Sequence, residues 1–311
     1  MDIVKLKPIF KDYLWGGDRL KTQLNKQTDL DIVAESWEIS THKDGNSIVE
    51  QTNESLSEFL KRNPDFLGKN INQLPILVKF IDARDSLSLQ VHPDEQYAQI
   101  HENDHGKTEM WYIMDCQPSS FIYYGVNKDL TKQQFKQAIE DNTVLSLLNK
   151  VYVKKGDYFL IEAGTLHAIG AGIMICEIQQ NSNSTYRVYD YNRKDKNGCL
   201  RELHIDKAVD VTNLHPITKG QSGNVEKKNT LMVDCPLFNC SYYCISEHET
   251  IEFDCDSFKA LIFLEGNGNI VSNGESHAFN KGDSFLLRAR LKEIEVCGNC
   301  ELILVKSDYR V

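Results

Sequence analysis

The chain has 311 residues, 41% of them hydrophobic and 26% charged, and carries a formal net charge of -10 at pH 7. That length accommodates two domains with a sizeable core, and the acidic balance argues against nucleic acid or an anionic membrane as the main partner while leaving local Lys and Arg free to hold one small anion. No apolar run approaches the roughly 18 residues of a membrane span, and Met1-Asp2-Ile3-Val4-Lys5 opens no signal-peptide core, so the expected location is cytoplasmic.

Taken in order, Leu6-Lys7-Pro8-Ile9-Phe10 to Tyr13-Leu14-Trp15-Gly16-Gly17 has strand and loop character, and residues 33–40 alternate as a half-buried strand does. Ser55-Leu56-Ser57-Glu58 has the form of a capping box, predicting a short helix that buries Phe59 and Leu60 and stops before Pro64. Residues 74–83 form an apolar strand interrupted by Lys79. Either its stem packs while the ammonium reaches water, or the ammonium enters a cavity and meets an anion there.

The stretch Leu87-Ser88-Leu89-Gln90-Val91-His92-Pro93-Asp94 follows. Gln90 and His92 sit two apart, so on an extended strand they point the same way. Downstream, Lys107-Thr108-Glu109-Met110-Trp111 contributes Glu109, and Ala163-Gly164-Thr165-Leu166-His167 contributes His167. Gln90, His92, Glu109 and His167 together are nitrogen and oxygen donors suited to a divalent metal, and zinc is the usual occupant of mixed His/Glu sites.

A short helix is predicted after Asp94, and Thr131-Lys132-Gln133-Gln134 is a second capping box opening helices between about Thr131 and Leu148. Strands resume from Tyr152 to Glu177. After a polar run, Tyr186-Arg187-Val188-Tyr189 places Arg187 on the face opposite its neighbours. Residues 216–229, rich in Lys, Gly, Ser and Asn, read as a linker. Beyond them, turns at Gly266-Asn267-Gly268, Asn273-Gly274, Lys281-Gly282-Asp283 and Gly298-Asn299 indicate an all-β unit.

Lys155-Gly156-Asp157-Tyr158-Phe159-Leu160-Ile161 resembles Lys281-Gly282-Asp283-Ser284-Phe285-Leu286-Leu287, a weak internal repeat. An ungapped continuation puts Glu293 where the first copy has His167, and no Gln-x-His precedes the second copy, so it reads as the same architecture without the metal. The nine Cys, an odd number, read as mostly buried reduced thiols. Cys297-Gly298-Asn299-Cys300 suits a hairpin turn, with a redox or zinc role as the alternative. His42, His101, His105, His204, His215, His248 and His277 are read as having no chemical role.

These motifs resemble the cupin superfamily, and more closely the type I mannose-6-phosphate isomerases in their short bacterial form. The resemblance rests on Trp15-Gly16-Gly17, Leu87-Ser88-Leu89-Gln90-Val91-His92-Pro93-Asp94, Gly106-Lys107-Thr108-Glu109-Met110-Trp111-Tyr112, Ala163-Gly164-Thr165-Leu166-His167-Ala168-Ile169-Gly170 and Gln180-Asn181-Ser182-Asn183-Ser184-Thr185-Tyr186-Arg187. The Gly-Thr-x-His-Ala segment alone would indicate only a cupin. The resemblance implies a mainly β fold of two cupin-type β jelly-roll units, residues 1–220 holding the metal and a few short helices, residues 221–311 holding none.

It further implies one zinc held by Gln90, His92, Glu109 and His167, Arg187 at the family's catalytic arginine, and Lys79, Ser88, Lys107 and Glu177 on active-site positions. Glu177 is the expected base, and Lys79, Ser88 and Lys107 are left for the phosphate or the sugar hydroxyls. The expected activity is the interconversion of mannose 6-phosphate and fructose 6-phosphate through a cis-enediol, by a monomer or weak homodimer with a sugar phosphate as partner. The chain lacks the long form's Gly-Leu-Thr-Pro-Lys after the arginine and carries Val188-Tyr189-Asp190-Tyr191 instead, so phosphate contacts do not transfer from that form. The alternatives are a sugar-binding regulatory cupin, a cupin dioxygenase, an isomerase of another sugar phosphate and, for Arg187, a structural ion pair with Asp190 or Asp210.

Overall fold

The computed structural model describes residues 1–69, 71–194, 198–217, 222–225, 228–254 and 256–307. Strands take 46% of the chain and helices 13%, so it is mainly β, and the described α-helices all precede residue 212. Three of them begin where their caps predict. Ser55 with Glu58 and Thr131 with Gln134 close capping boxes that open Leu56–Arg62 and Lys132–Glu140, and the Asp94 side chain accepts the Tyr97 N–H to open Glu95–His101. Ile205–Val211 has no counterpart in the sequence-based expectations. Its N-cap position is His204, which makes no side-chain cap bond, so no start signal marks it.

Two antiparallel sheets build most of the N-terminal half. The larger runs Ser222–Asn224, Asp157–Ile161, Glu109–Cys116, Ile173–Gln180, Ile76–Ala83, Glu35–Ile39, Ile9–Lys11; the smaller runs Leu148–Tyr152, Phe121–Val126, His167–Ile169, Leu89–Val91, Tyr186–Tyr189. Side chains on each long strand diverge alternately. Ile81, Trp111, Ile113 and Ile175 pack inward against Ile122 and Ile169 of the smaller sheet, while Phe80, Met110, Tyr112 and Cys176 turn outward into a core shared with the C-terminal half. The smaller sheet's other face, with Leu89, Val91 and Val188, is covered by Phe135, Ile139 and Ala208 of two helices. A residue inward on a central strand therefore enters the space between the sheets. Lys79, Glu109 and Glu177 occupy such positions.

The C-terminal half is a nine-stranded assembly that also takes in the first strand, Ile3–Lys7, paired with Ser284–Leu287. Two expected turns are absent. Gly266-Asn267-Gly268 and Gly298-Asn299 lie inside the 14-residue strands Lys259–Ser272 and Glu293–Lys306, which pair with each other. Glycine is required there by close backbone approach, because a Cβ on Gly268 would lie 2.0 Å from the Cys297 carbonyl oxygen. Along Glu293–Lys306 the partner changes from His248–Glu252 to Asn239–Ile245, so these glycines mark a bend between two sheet segments. Cys297 and Cys300 accordingly share one strand and flank no hairpin.

Two other expectations are corrected. Part of the predicted linker is ordered, since Ser222–Asn224 adds an edge strand to the larger N-terminal sheet; residues 218–221, 226 and 227 lie outside the described residues. Of the eight described cysteines, Cys176, Cys240 and Cys300 are buried, four are half-buried and Cys199 is exposed. No helix among the described residues is long and apolar enough to cross a membrane.

Candidate active site

The strand register assembles the proposed ligands. Gln90 lies opposite His167 on the neighbouring strand, and Glu109 opens the facing sheet's strand where Gln179 pairs with it. His92 Nε2 is 3.3 Å from Glu109 Oε2, and His167 Nε2 is 3.3 Å from Glu109 Oε1. His92, Glu109 and His167 form a buried group whose donor atoms lie within 4.8 Å of one another.

Backbone carbonyls fix the two imidazoles. Nδ1 of His92 donates to the Ser184 carbonyl and Nδ1 of His167 to the Thr165 carbonyl, both at 2.9 Å, so the Nε2 lone pairs face Glu109. Burial, aided by the Lys107 charge, pushes the His92 pKa down to about 3, and burial lowers that of His167, so both rings are neutral, as ligands must be. Glu109 is held ionised. Burial opposes this, but the Lys107 ammonium on its Oε2 carries its pKa well below the usual range. Its Oε1 accepts no hydrogen bond although the residue is fully buried, which leaves one orphaned carboxylate oxygen beside two imidazole lone pairs. The Gln90 amide lies 3.3 Å from His167 Nε2, and turned about its last bond it presents its carbonyl oxygen there. This donor set fits a divalent cation.

The loop that fixes His92 is itself fixed. Asp104 accepts from the Ser184 hydroxyl at 2.8 Å and from the Ser182 hydroxyl at 2.9 Å, a support that sequence reasoning missed because the partners lie about 80 residues apart.

Beside the ligand group opens a cavity of about 260 Å³, near the lower end of small-molecule pockets. Lys79, Ser88, Gln90, Lys107, Glu177 and Arg187, all singled out from sequence, line it. Glu177 is directly across from Lys79 in register, with Oε1 3.2 Å from the Lys79 ammonium, and Trp111 Nε1 donates to Oε2 at 2.9 Å. Burial raises the Glu177 pKa and the Glu109 charge adds to this, against the pull of Lys79 and Lys107. Lys79 stays protonated: the carboxylates of Glu35, Glu177 and Glu109 outweigh its burial and raise its pKa. Of its two sequence readings, the ammonium turned into the cavity is the one observed. The Lys107 ammonium donates to His92 Nε2 at 2.9 Å and to Glu109 Oε2 at 2.5 Å.

Arg187 reaches the cavity from the smaller sheet, opposite Gln90 in register. It donates to the Glu202 carbonyl at 2.8 Å and forms no ion pair with Asp190 or Asp210 among the described residues; Asp190 holds Arg193 and Arg201, and Asp210 pairs with Lys132. Glu35 and Arg201 also line the cavity. Both went unassigned in the sequence. Glu35 had a findable signal, since it shares the inward face of its strand with Trp37, whose Nε1 donates to it at 2.7 Å; nothing in the sequence around Arg201 points to a site.

Comparisons with known proteins agree with one another over most of the chain. The family described as phosphomannose isomerase type I, catalytic domain, matches residues 3–108, and the one described as mannose-6-phosphate isomerase, cupin domain, matches residues 227–307. The mannose-6-phosphate isomerase ManA of Bacillus subtilis (strain 168) is 37% identical, with 96% of each chain covered, and the mannose-6-phosphate isomerase of Streptococcus mutans is 35% identical over 95% of each. The crystal structure of a Bacillus subtilis mannose 6-phosphate isomerase superposes with a TM-score of 0.90 at 31% identity, covering 98% of this chain and 99% of that one. Phosphomannose isomerase from Salmonella typhimurium shares the fold, with a TM-score of 0.82 at 16% identity. With the motifs, the two family matches and near-complete coverage of relatives above 30% identity in agreement, this chain belongs to the type I phosphomannose isomerase family of enzymes.

Proposed function

We propose that the chain interconverts mannose 6-phosphate and fructose 6-phosphate through a cis-enediol, with zinc as its metal. The observation that carries the reading is a buried ligand group with an orphaned Glu109 oxygen opening onto a cavity that holds a second, differently tuned carboxylate, Glu177. Aldose–ketose isomerisation needs a base to move a proton between C2 and C1, and positive charge where the enediolate oxygens develop.

Glu177 suits the first role. Trp111 restrains Oε2, and Oε1 is left to accept the C2 proton as the C2–H electron pair becomes the C1–C2 double bond and the carbonyl pair moves onto O1. The same carboxyl then returns its proton to C1 as the O2–H electron pair becomes the new C2 carbonyl and the O2 proton passes to the negative O1. Its pKa, raised by burial, brings proton uptake closer to neutral pH. Arg187 supplies a fixed positive charge on the far side of Gln90, and Lys79 steadies the ionised form of the base. Ser88 and Lys107 offer a hydroxyl and an ammonium to the substrate oxygens. A cation held by Gln90, His92, Glu109 and His167 would add Lewis-acid stabilisation of the enediolate charge.

The test is fructose 6-phosphate formation from mannose 6-phosphate in a coupled assay, together with elemental analysis of the purified chain. Turnover with zinc as the bound metal is expected. No turnover by zinc-loaded protein overturns the reading, and bound iron with oxygen consumption would replace it with an oxygenase.

A further inference from the structure

The charges around the cavity are unevenly distributed. On the larger sheet, Lys79 faces two carboxylates, Glu177 at 3.2 Å and Glu35 at 3.7 Å, and Lys107 is matched by Glu109 at 2.5 Å. The lysines are thus neutralised or outnumbered by acids. On the side of the smaller sheet the balance reverses. Arg187, Arg193 and Arg201 gather around one carboxylate, Asp190, which accepts from Arg193 and Arg201 but forms no ion pair with Arg187 among the described residues.

The Arg201 geometry is specific. Its Nε and Nη2 form a fork on the two Asp190 oxygens at 2.7 and 2.6 Å, so one guanidinium edge is committed and Nη1 has no partner among the described residues. Asp190 is only 6% exposed and is held well ionised: burial opposes this, but the two arginines outweigh it. A buried carboxylate that grips one edge of a guanidinium sets the direction of the other. Arg201 and Arg187 both line the cavity, and the buried Nε of Arg187 also lacks a hydrogen-bond partner. Two like charges beside one cavity repel each other unless an anion lies between them.

Resting on the sugar-phosphate reading above, we propose that Arg201, aimed by Asp190, is the anchor for the substrate's phosphate monoester, with Arg187 between it and the metal-ligand group. Lys79, Ser88 and Lys107, the phosphate candidates from sequence, are then left for the sugar oxygens. Arg187 is tied to that group by strand pairing, since it stands opposite Gln90, which touches His167, whereas Arg201 lines the same cavity and is held by Asp190.

Steady-state kinetics and calorimetry on the zinc-loaded full chain test this, with mannose 6-phosphate as substrate and inorganic phosphate as the binding probe. Arg201→Gln should raise KM and the phosphate Kd each by about 10- to 100-fold, the range for a lost charge-assisted hydrogen bond, with kcat nearly unchanged. Arg201→Lys should recover part of both, since an ammonium keeps the charge but not the fork. A folded Arg201→Gln with parental phosphate affinity, or a loss confined to kcat, overturns the assignment. Should Arg201→Gln not fold, Arg201→Lys decides: parental phosphate affinity there also overturns it, because one ammonium cannot replace a fork that holds Asp190 and phosphate together. Phosphate binding is read without turnover, so an inactive parent chain would defeat the isomerase reading and leave this one decidable.

Discussion

The two halves of the chain use one local framework for opposite purposes. In the N-terminal half, Gly156 at φ 91° docks its N–H on the Ile113 carbonyl, and the Asp157 carboxylate accepts from the Lys154 N–H at 2.8 Å. In the C-terminal half, Gly282 at φ 88° docks on the Phe263 carbonyl, and Asp283 accepts from the Asn280 N–H at 2.7 Å. The weak sequence repeat is thus the same turn, glycine for the left-handed angle and aspartate for the closing bond. What the turn introduces differs. The C-terminal interior is filled by Phe263, Phe279, Phe285 and aliphatic neighbours, with Phe263 and Phe279 stacked 3.7 Å apart. The N-terminal interior gives up part of that apolar packing to hold Glu109, Glu177, Lys79 and two histidines. Buried ions are costly unless paired, so the half that holds these charged side chains depends on their partners for stability where the other half depends more on packing.

The largest expected contrast is in response to chelation. Stripping the metal should abolish turnover and lower Tm, and zinc should restore both, since a ligand of the folded state stabilises by mass action. Among the described residues, the C-terminal half offers a metal only the grouping of exposed His248 and Glu295 with half-buried Cys297. Elemental analysis should therefore give one zinc per chain, unchanged in His248→Ala; two per chain, with one lost in that variant, would break the contrast.

Arg187→Ala should cost about 10²- to 10³-fold in kcat, by analogy with removing one oxyanion donor, with zinc content and Tm retained. A rise in KM alone would move Arg187 to the phosphate end. Phe263→Ala, the packing counterpart, should destabilise by about 3–5 kcal/mol in denaturant melts while kcat per folded molecule stays near parental. Equal loss of kcat would show that the halves are not separable in this way.

The smallest effect is expected from Asp104→Asn, two hydrogen bonds removed from His92. Loss of such a support should weaken zinc affinity by about 10- to 100-fold in competition titrations. Burial favours the neutral acid, but the hydroxyls of Ser184 and Ser182 and the N–H groups of His105 and Asn183 win and lower the Asp104 pKa. A depressed folded-state pKa adds stability above the unfolded value, about 3.9, that is lost as pH falls through the folded one. In chelated protein, which removes acid release of the metal as a cause, the stability gap between parent and Asp104→Asn should close as pH drops below about 4. A gap that persists at low pH assigns Asp104 no such role.

Much of this was local and therefore readable from the chain. Capping residues set three helix starts, Lys79 stood out as a charge inside an apolar strand, and Gln90 and His92 two apart on a strand had to point together. Glycine was the ambiguous letter. Gly274 and Gly298 look alike in sequence, yet one closes a hairpin and the other lets two long strands approach, because what distinguishes them is the backbone opposite. Tertiary structure alone decided the links across the sheets: Asp104 behind His92, Glu35 beside Lys79, and Asp190 gripping one edge of Arg201. The periodicity of a strand determines which face a side chain takes, but only sheet pairing and loop closure determine what it meets there, and it is that meeting which sets charge balance and pKa.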